Sequence, residues 1–243
     1  MSIERAAERL ARAEHVLVVT GAGISAESGI PTFRGEGGLW RGLHAQDLAT
    51  PEAFRRNPRL VWDWYRWRRG VCNEAEPNPG HQALAELERR APDFLLLTQN
   101  VDGLHPRAGS QRLAELHGCI DQARCTICGA ITHLDELQDG DDGLPSCSCG
   151  GLARPHILWF GEAYWEGTLD VGYAFAARAD LVLVVGTSGM VWAPAAVADQ
   201  ARRAGAFMVD VNPNPSELSD AADLWLRGPS GVVLPELIRR AWS

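Results

Sequence analysis

A glycine-rich turn directly after an apolar run is the feature that most constrains how this chain can fold. Val16–Thr20 is typical of a short buried strand, and it leads into Gly21-Ala22-Gly23-Ile24-Ser25-Ala26, which has the form G-x-G-x-x-A. Such a turn lets the backbone approach a pyrophosphate group at the start of a helix. It is also compatible with a tight strand-to-helix connection that binds no ligand.

The sequence beyond the turn departs from the common dinucleotide-binding pattern. That pattern places an acidic residue at the end of a second strand, about 20 residues further on. Here the chain continues into Gly29-Ile30-Pro31-Thr32-Phe33-Arg34-Gly35, a loop-like stretch that carries an arginine. We therefore expect a long ordered loop, rather than a second strand end, to help hold a nucleotide.

Length and charge narrow the possible functions. A chain of 243 residues suits one large α/β domain with a small insert. Its formal net charge of −8 argues against direct nucleic-acid binding and favours basic partners such as lysine-rich segments. Residues 2–14 form a charged amphipathic pattern rather than a secretion signal, and no apolar run reaches the roughly 18 residues of a membrane span. We expect a cytoplasmic protein with no membrane partner.

Helical and strand-like segments alternate along the chain. The helical patterns cover Ile3–Glu14, Pro58–Arg69, His81–Arg90, Pro194–Arg203 and Val233–Trp242. Apolar runs of strand length lie at Val16–Thr20, Phe94–Thr98, Leu181–Val185 and Phe207–Val211. Because these runs are apolar almost throughout, they predict parallel strands that are covered on both faces. The predicted fold class is α/β, with a Rossmann-like parallel sheet and helices on both of its faces.

Polar or glycine-rich segments follow each predicted strand at the point where it ends. These segments are Gly21-Ala22-Gly23, Gln99-Asn100-Val101-Asp102, Gly186-Thr187-Ser188 and Asn212-Pro213-Asn214. In an open parallel sheet the carboxyl ends of the strands face one crevice, which is where ligands bind. We expect the chemistry of the protein to lie at this edge of the sheet.

Four of the six cysteines are spaced as metal ligands. Cys125 and Cys128 form a C-x-x-C pair, and Cys147 and Cys149 form a C-x-C pair after 18 intervening residues. Four thiolates complete a tetrahedral shell and leave no position for water, so the pattern predicts one structural zinc ion. A disulfide is the alternative, and Cys119 could substitute as a ligand. We expect this zinc module to be an insert at about 119–155.

Six further motifs carry a resemblance to a known family. They are GAGISAESGIPTFRG (21–35), TQNVDGLH (98–105), LHG (116–118), WFGE (159–162), VGTS (185–188) and VNP (211–213). Together with the four cysteines, they make the chain resemble the sirtuins, the NAD-consuming protein-lysine deacylases. The resemblance spans nearly the whole chain, so it implies one catalytic domain over residues 1–243 with the zinc module inserted in it.

The resemblance implies an NAD site in which NAD is consumed as a co-substrate. In it, the Gly21–Gly23 turn and Arg34 hold the pyrophosphate, and Phe33 screens the ribose C1′ once nicotinamide has left. The family commonly has isoleucine and an acidic residue where Val101 and Asn214 stand here. The implied cofactor-binding residues are Gly21, Ala22, Gly23, Ala26, Glu27, Thr32, Phe33, Arg34, Trp40, Gln99, Asn100, Val101, Asp102, Gly186, Thr187, Ser188, Asn212, Asn214 and Ser230.

The same resemblance assigns the catalytic residues His117, Asn100 and Asp102. The acyl-lysine carbonyl oxygen attacks C1′ and expels nicotinamide, while Asn100 and Asp102 position the nicotinamide end of NAD. His117 then takes a proton from the ribose hydroxyls, so that the 2′ oxygen can attack the acyl carbon and give O-acyl-ADP-ribose. An imidazole suits this step because its unperturbed pKa lies near neutrality.

Substrate recognition is implied at two places. A protein segment carrying the acylated lysine is expected to add as a strand between residues 160–162 and 189–191, where main-chain hydrogen bonds make little demand on sequence. The implied contacts in this cleft are Phe160, Gly161, Glu162 and Val191.

The second place is a helix rich in tryptophan and arginine, Trp62–Arg69. Tyr65 and Arg68 are spaced i, i+3 and therefore share a face. With Ala49, they match the sirtuin branch that removes succinyl, malonyl and glutaryl groups. A guanidinium beside a phenol suits a distal carboxylate. The alternative is a core helix with solvent-exposed arginines, and Arg66 and Arg69 are rival candidates for the same role.

The sequence is compatible with two other functions. One is mono-ADP-ribosyl transfer to a protein side chain, and the other is a catalytically silent module that binds NAD or zinc. The presence of His117, Asn100 and Asp102 argues against the silent module, which would not need all three.

Overall fold

The computed structural model describes residues 2–32, 39–40 and 42–243. The helices within these ranges are α1 (Ser2–Arg12), α2 (Ala45–Leu48), α3 (Pro51–Arg56), α4 (Pro58–Glu74), α5 (Pro79–Arg90), α6 (Leu104–Arg107), α7 (Asp170–Ala176), α8 (Trp192–Arg203) and α9 (Ser230–Ala241). The strands are β1 (His15–Thr20), β2 (Leu39–Trp40), β3 (Leu43–His44), β4 (Asp93–Thr98), β5 (Leu113–Glu115), β6 (Gly118–Cys125), β7 (Ile131–His133), β8 (Gln138–Asp139), β9 (Pro145–Ser146), β10 (Ala153–Ile157), β11 (Leu181–Val185), β12 (Phe207–Asn212) and β13 (Leu224–Arg227).

A six-stranded parallel sheet forms the centre of the protein. Its strand order is β13-β12-β11-β1-β4-β5, and every neighbouring pair is parallel. Side chains of α1, α5 and α9 pack on one face, and those of α7 and α8 pack on the other. Alternate residues of one strand therefore enter opposite cores: Val16 and Val18 face the first, Leu17 and Val19 the second. The predicted α/β class with a doubly covered parallel sheet is confirmed.

The segment after β1 differs from the expected turn into an α-helix. Ala22–Ser28 is a 3-10 helix, and Gly29 ends it in the left-handed region with a φ of 84°. Ile24 N–H donates to the Gly21 carbonyl at 3.1 Å, which is an i to i−3 bond. The Ile24 carbonyl accepts from the side-chain amide of Asn78 at 2.7 Å. That carbonyl is thus taken by a side chain rather than by the next turn of an α-helix.

A third apolar cluster lies beside the sheet and joins α2, α3 and α4 to the smaller strands. It contains Trp62 and Tyr65 of α4 together with Ile120 of β6 and Ile157 of β10. β6 pairs with both β7 and β10 in an antiparallel three-stranded sheet. Trp62 Nε1 donates to the Ala153 carbonyl at 2.9 Å, which fixes α4 against β10.

Helix α4 is longer than the sequence pattern indicated, because it continues from the predicted end at Arg69 to Glu74. Its start is as expected: Pro58 occupies the first turn, and Asn57 Oδ1 accepts from Leu60 N–H at 3.0 Å. Thr50 caps α3 in the same way through Ala53 N–H at 3.1 Å. Across the described ranges, no helix combines the length and apolar character required to cross a membrane.

Candidate active site and metal centre

Two glycine turns meet at the carboxyl edge of the sheet. Gly23 N–H donates to the Gly186 carbonyl at 2.7 Å, and Gly21 N–H donates to the Val185 carbonyl at 3.1 Å. A Cβ atom on Gly23 would lie 2.6 Å from the Gly186 oxygen, and one on Gly186 would lie 2.3 Å from Ile24 N. Glycine is therefore required at both positions by the close approach of the two backbones.

A buried polar network lies beside these turns. Asn100 Nδ2 donates to Ser25 Oγ at 3.0 Å, and Ser25 Oγ donates to Asp102 Oδ2 at 2.8 Å. Asp102 Oδ1 accepts from Leu104 N–H at 3.0 Å. Burial raises the pKa of Asp102, and these donors oppose the rise because they stabilise the carboxylate. The network orients both predicted catalytic residues of this strand end.

Other predicted NAD residues are also joined by hydrogen bonds. Gln99 Nε2 donates to Thr187 Oγ1 at 3.1 Å, and Asn212 Nδ2 donates to the Thr187 carbonyl at 3.3 Å. Further round the edge, Ser230 Oγ donates to Glu27 Oε2 at 3.2 Å. Three strand ends that are distant in sequence thus form one continuous polar rim.

Other predicted NAD residues differ in their exposure. Ala26, Ser188 and Asn214 are exposed, whereas Val101 is buried. Phe33 and Arg34 lie outside the described residues, as does the side chain of Trp40.

His117 lies where β5 passes into β6, and both of its ring nitrogens have partners. Nδ1 is 3.0 Å from the Gln99 carbonyl oxygen, and Nε2 is 2.9 Å from the Tyr164 hydroxyl. Burial lowers the pKa of His117, and the backbone hydrogen bond to Gln99 opposes this shift. The imidazole is therefore neutral at neutral pH, which is the form that a general base requires.

The predicted acyl-binding residues lie in or beside the apolar cluster that contains Trp159. Trp159 Nε1 donates to the Tyr65 hydroxyl at 2.8 Å, and the Arg68 guanidinium lies 5.6 Å from the centre of the Tyr65 ring. Ala49 is buried in the same cluster, and its carbonyl accepts from Phe160 N–H at 3.0 Å. Burial raises the pKa of Tyr65 to about 12, so its hydroxyl keeps its proton at neutral pH.

Three of the four arginines of α4, namely Arg66, Arg68 and Arg69, are candidates for the acyl-binding role, and they have different surroundings. Arg66 forms an ion pair with Asp139, with 3.1 Å between Nη2 and Oδ1. Arg69 bridges Asp121 and Asp135, at 2.6 and 2.7 Å. Arg68 instead stacks 5.0 Å from the Trp64 ring, on the side of the helix that carries Tyr65.

The charge of Arg68 also affects Asp102, one of the predicted NAD residues. Burial raises the pKa of Asp102, and the positive charge of Arg68 opposes that rise. The same charge opposes the rise in the pKa of Cys72, which burial takes to about 11. Arg68 is therefore close enough to interact electrostatically with both Asp102 and the Tyr65 hydroxyl.

Residues 160–162, which are predicted to pair with the substrate strand, are held in place by hydrogen bonds to the Glu162 carboxylate. Arg154 donates to both carboxylate oxygens of Glu162, at 2.5 and 3.0 Å, and Trp159 N–H donates to the same group at 2.9 Å. Phe160 is half exposed, Gly161 has a φ of 85°, and Val191 is exposed. The Glu162 side chain therefore supports the segment and does not face outward.

The four cysteines of the predicted metal site lie together. Their sulfur atoms are all within 4.8 Å of one another, with Cys125 and Cys149 at 3.5 Å and Cys128 and Cys147 at 3.7 Å. Zinc–sulfur bonds of about 2.3 Å in a tetrahedron place the sulfurs about 3.8 Å apart, so the donor set fits zinc. Backbone N–H groups of Cys128 and Ile127 lower the pKa of the Cys125 thiol to about 6, which favours the thiolate ligand. Cys119, the alternative ligand, is not in the cluster, and none of the six cysteines forms a disulfide.

Comparison with known proteins decides the family. A profile of the Sir2 family matches residues 21–193. The chain belongs to the Sir2 family. A relative from Leptospira interrogans serovar Lai, named NAD-dependent protein deacylase, is 49% identical over 93% of this chain and 92% of its own. A relative of the same name from Thermococcus kodakarensis is 48% identical over 97% of this chain and 94% of its own.

Solved sirtuin structures agree with this assignment along the whole chain. A Sir2 homologue in complex with NAD superimposes with a TM-score of 0.92 at 41% identity, over 98% of this chain and 93% of that one. A Sir2 protein in complex with a p53 peptide and NAD has a TM-score of 0.88 at 28% identity, over 98% of both chains.

Sequence reasoning missed three contributors to this sirtuin site. Ser25 joins Asn100 to Asp102, although it lies inside the glycine-rich motif that was singled out. Tyr164 is the partner of His117, and nothing in its local sequence marks it. Trp159 stands in the WFGE motif, but only the structure shows that its indole N–H holds the Tyr65 hydroxyl.

Proposed function

We propose that this sirtuin is an NAD-dependent protein-lysine deacylase that prefers acyl groups ending in a carboxylate, such as succinyl, malonyl and glutaryl. The names of its relatives support the deacylase activity. The observation that carries the acyl preference is the arrangement of Trp159, Tyr65 and Arg68.

The Tyr65 hydroxyl is prepared to donate. It accepts a hydrogen bond from Trp159 Nε1–H at 2.8 Å, so its own O–H can be donated only to a different group. Among the described residues, no acceptor of that proton is present. Because burial keeps the phenol protonated, it can donate a hydrogen bond to an acyl carboxylate.

Arg68 supplies the charge that a distal carboxylate needs. A guanidinium is always protonated and can form two parallel hydrogen bonds with a carboxylate. Arg66 and Arg69 form ion pairs with aspartates of the cysteine-rich segment, residues 119–155, whereas the Arg68 guanidinium lies over the Trp64 and Tyr65 rings. An acetyl group has no carboxylate to interact with either residue.

The small side chain of Ala49 would accommodate an acyl chain beside this pair. Ala49 and Tyr65 belong to the same buried cluster, and the Ala49 carbonyl holds Phe160, the first residue of the proposed peptide-binding segment. The acyl chain would therefore enter next to the backbone that holds the peptide. We infer that the peptide adds as a strand between residues 160–162 and 189–191.

At the other end of the acyl-lysine, Asn100 and Asp102 would orient the nicotinamide half of NAD, the co-substrate. His117 would take a proton from a ribose hydroxyl through Nε2, since Nδ1 is bound to the Gln99 carbonyl. The products would be nicotinamide, the free lysine and O-acyl-ADP-ribose. The remaining predicted NAD residues would hold the pyrophosphate and the adenosine half along the polar rim.

The test compares acyl-peptides on the wild type and on Arg68→Met. Wild-type protein with NAD should remove succinyl from lysine at least as well as acetyl, with release of O-acyl-ADP-ribose measured by mass spectrometry. A charge-assisted hydrogen bond contributes about 1.5–3 kcal/mol, so Arg68→Met should lower desuccinylation roughly 10- to 150-fold while most deacetylation remains.

Arg66→Met is the matched control, because Arg66 lies on the same helix but pairs with Asp139. It should leave the ratio of the two activities unchanged. An equal fall of both activities in Arg68→Met, or a strong acetyl preference in the wild type, would contradict the proposed acyl preference. Labelled ADP-ribose transferred to protein without free O-acyl-ADP-ribose would indicate ADP-ribosyl transfer instead.

A further inference from the structure

The proton on His117 can be located from its partners. The Gln99 carbonyl oxygen, 3.0 Å from Nδ1, can only accept a hydrogen bond, so Nδ1 carries the proton. Burial keeps the ring neutral by lowering its pKa. Nε2 therefore has a lone pair, and it accepts from the hydroxyl 2.9 Å away, which belongs to Tyr164.

Tyr164 is suited to this role by its surroundings. It is half buried, and it packs against the apolar cluster on the α7 and α8 face of the sheet. Burial raises the pKa of Tyr164 to about 12, so its hydroxyl keeps its proton and can donate at neutral pH. Its ring lies tilted against the imidazole, with 5.7 Å between the ring centres.

An imidazole nitrogen has only one lone pair in the plane of its ring. The ribose hydroxyl that His117 must deprotonate needs that same lone pair, because a general base has to be in hydrogen-bond contact with the proton that it takes. The Tyr164 hydroxyl and the ribose hydroxyl therefore exclude each other at Nε2.

Tyr164 also lies next to the proposed peptide-binding segment. Only Ala163 separates it from Glu162, whose carboxylate is fixed by Arg154 and Trp159 N–H. The proposed peptide-binding segment therefore continues directly into Tyr164, whose hydroxyl is hydrogen-bonded to His117, the proposed base.

We propose that Tyr164 is a positioning residue that takes the place of the ribose hydroxyl on His117 Nε2 in the free enzyme and gives way when the ribose binds. This inference rests on the proposed function, in which His117 contacts the ribose. It assigns Tyr164 an effect on ribose binding that acts only through His117.

The test is the affinity for ADP-ribose, a ligand seen in complexes of a Sir2 homologue. Calorimetry would compare the wild type with Tyr164→Phe, which removes only the hydroxyl. The variant should bind ADP-ribose about 2- to 10-fold more tightly, because one neutral hydrogen bond no longer has to be broken. Tyr173→Phe is the matched control, since Tyr173 packs on the same cluster and should bind ADP-ribose like the wild type.

A double-mutant cycle separates this role from a packing effect. In a His117→Ala background, Tyr164→Phe should leave the ADP-ribose affinity unchanged, because the nitrogen that both hydroxyls share is gone. Equal or weaker binding by Tyr164→Phe, or tighter binding that persists without His117, would overturn the inference.

The cycle also distinguishes this inference from the proposed function. If the wild type deacylates peptides and binds ADP-ribose but Tyr164→Phe binds no more tightly, only the role of Tyr164 is wrong. If the wild type neither releases nicotinamide with acyl-peptides nor binds ADP-ribose, the proposed function is wrong, and this inference fails with it.

Discussion

In the central sheet every residue of β11 and β12 is buried, whereas in the cysteine-rich segment Ile127 and Ile131 are 75% and 48% exposed. The sheet is sandwiched between two helical layers, and each fully buried valine or leucine side chain contributes about 1.5–3 kcal/mol. The cysteine-rich segment has instead four sulfurs placed as the corners of a zinc site. One region is stabilised by apolar burial, and the other is built to be stabilised by a metal ion.

The predicted catalytic residues and the proposed acyl-binding residues are associated with different regions. His117, Asn100 and Asp102 lie at the carboxyl edge of the sheet, where buried hydrogen bonds orient them. Helix α4, which carries the proposed acyl-binding residues, is joined to the cysteine-rich segment through Arg66 and Arg69. We therefore expect damage to the sheet edge to stop the reaction and damage to the metal centre to act first on stability.

The largest effect is expected at the metal centre. Cys149→Ser removes one thiolate, so the protein should lose the single zinc ion that the wild type binds, and its thermal unfolding temperature should fall. In zinc-finger peptides the apparent free energy of metal binding is on the order of 10 kcal/mol, and a chelator should destabilise the wild type in the same way. Metal analysis by mass spectrometry and calorimetric unfolding would measure both effects.

Cys119→Ser is the control for that experiment. Burial raises the pKa of Cys119 to about 12, and its sulfur is not in the cluster, so this variant should keep its zinc. Zinc content and stability that stay at wild-type levels in Cys149→Ser would show that the cluster is not the metal site.

The next largest effect is expected at the sheet edge, with His117→Ala. Loss of a general base costs about 10²–10⁴ in rate, so deacylation should fall by at least about 10² while ADP-ribose still binds and the unfolding temperature stays close to that of the wild type. Steady-state rates with a saturating acyl-peptide, measured beside ADP-ribose affinity, would check this. Near-normal turnover would exclude His117 as the base.

These two regions also differ in how far the sequence predicts them. The apolar runs predicted β1, β4, β11 and β12, because a strand buried on both faces is apolar at nearly every position. The cysteine spacing predicted the metal cluster, because thiolates two or three residues apart can reach one ion. Both signals are local, so no tertiary information was needed to detect them.

The site needed tertiary information that no local pattern contains. Tyr164 meets His117 across 47 residues, and Trp159 meets Tyr65 across 94 residues. The rivalry between Arg66, Arg68 and Arg69 could not be resolved from helical spacing alone, since all three lie within one turn. Arg66 and Arg69 pair with aspartates that are distant in sequence, and no local pattern reveals those partners.

A smaller loss of stability is expected when the pH is lowered. His81 and His105 are buried, and their Nδ1 atoms have no hydrogen-bond partner among the described residues. Burial lowers their pKa to about 4 and about 3, against about 6.5 in the unfolded chain. Below pH 6.5 the unfolded state therefore binds more protons, so the free energy of unfolding falls as the pH falls.

Each of these two histidines should lower the free energy of unfolding by about 1 kcal/mol when the pH falls from 7.5 to 5.5. Urea unfolding at the two pH values would measure the change, and His105→Gln should show a smaller change than the wild type because one titrating ring is gone. An unfolding free energy that does not change over this range would mean that both rings are already protonated or accessible in the folded protein.

The smallest effect is expected at the ion pairs that join the two regions. Arg69 and its partner Asp121 are only 25% and 26% exposed, and the pair holds the middle of α4 against β6. Arg69→Gln leaves the half-buried Asp121 without its cation, which should loosen α4 at the residue next to Arg68.

Arg66 and Asp139 are 42% and 53% exposed, and such pairs contribute at most about 1 kcal/mol, so Arg66→Gln is the control. In Arg69→Gln the KM for a succinyl-peptide should rise roughly 3- to 10-fold while the KM for an acetyl-peptide changes little, because in the proposed function only the acyl carboxylate binds Arg68. Equal changes for both peptides, or equal effects of the two substitutions, would show that the connection between the metal-stabilised region and α4 serves stability alone.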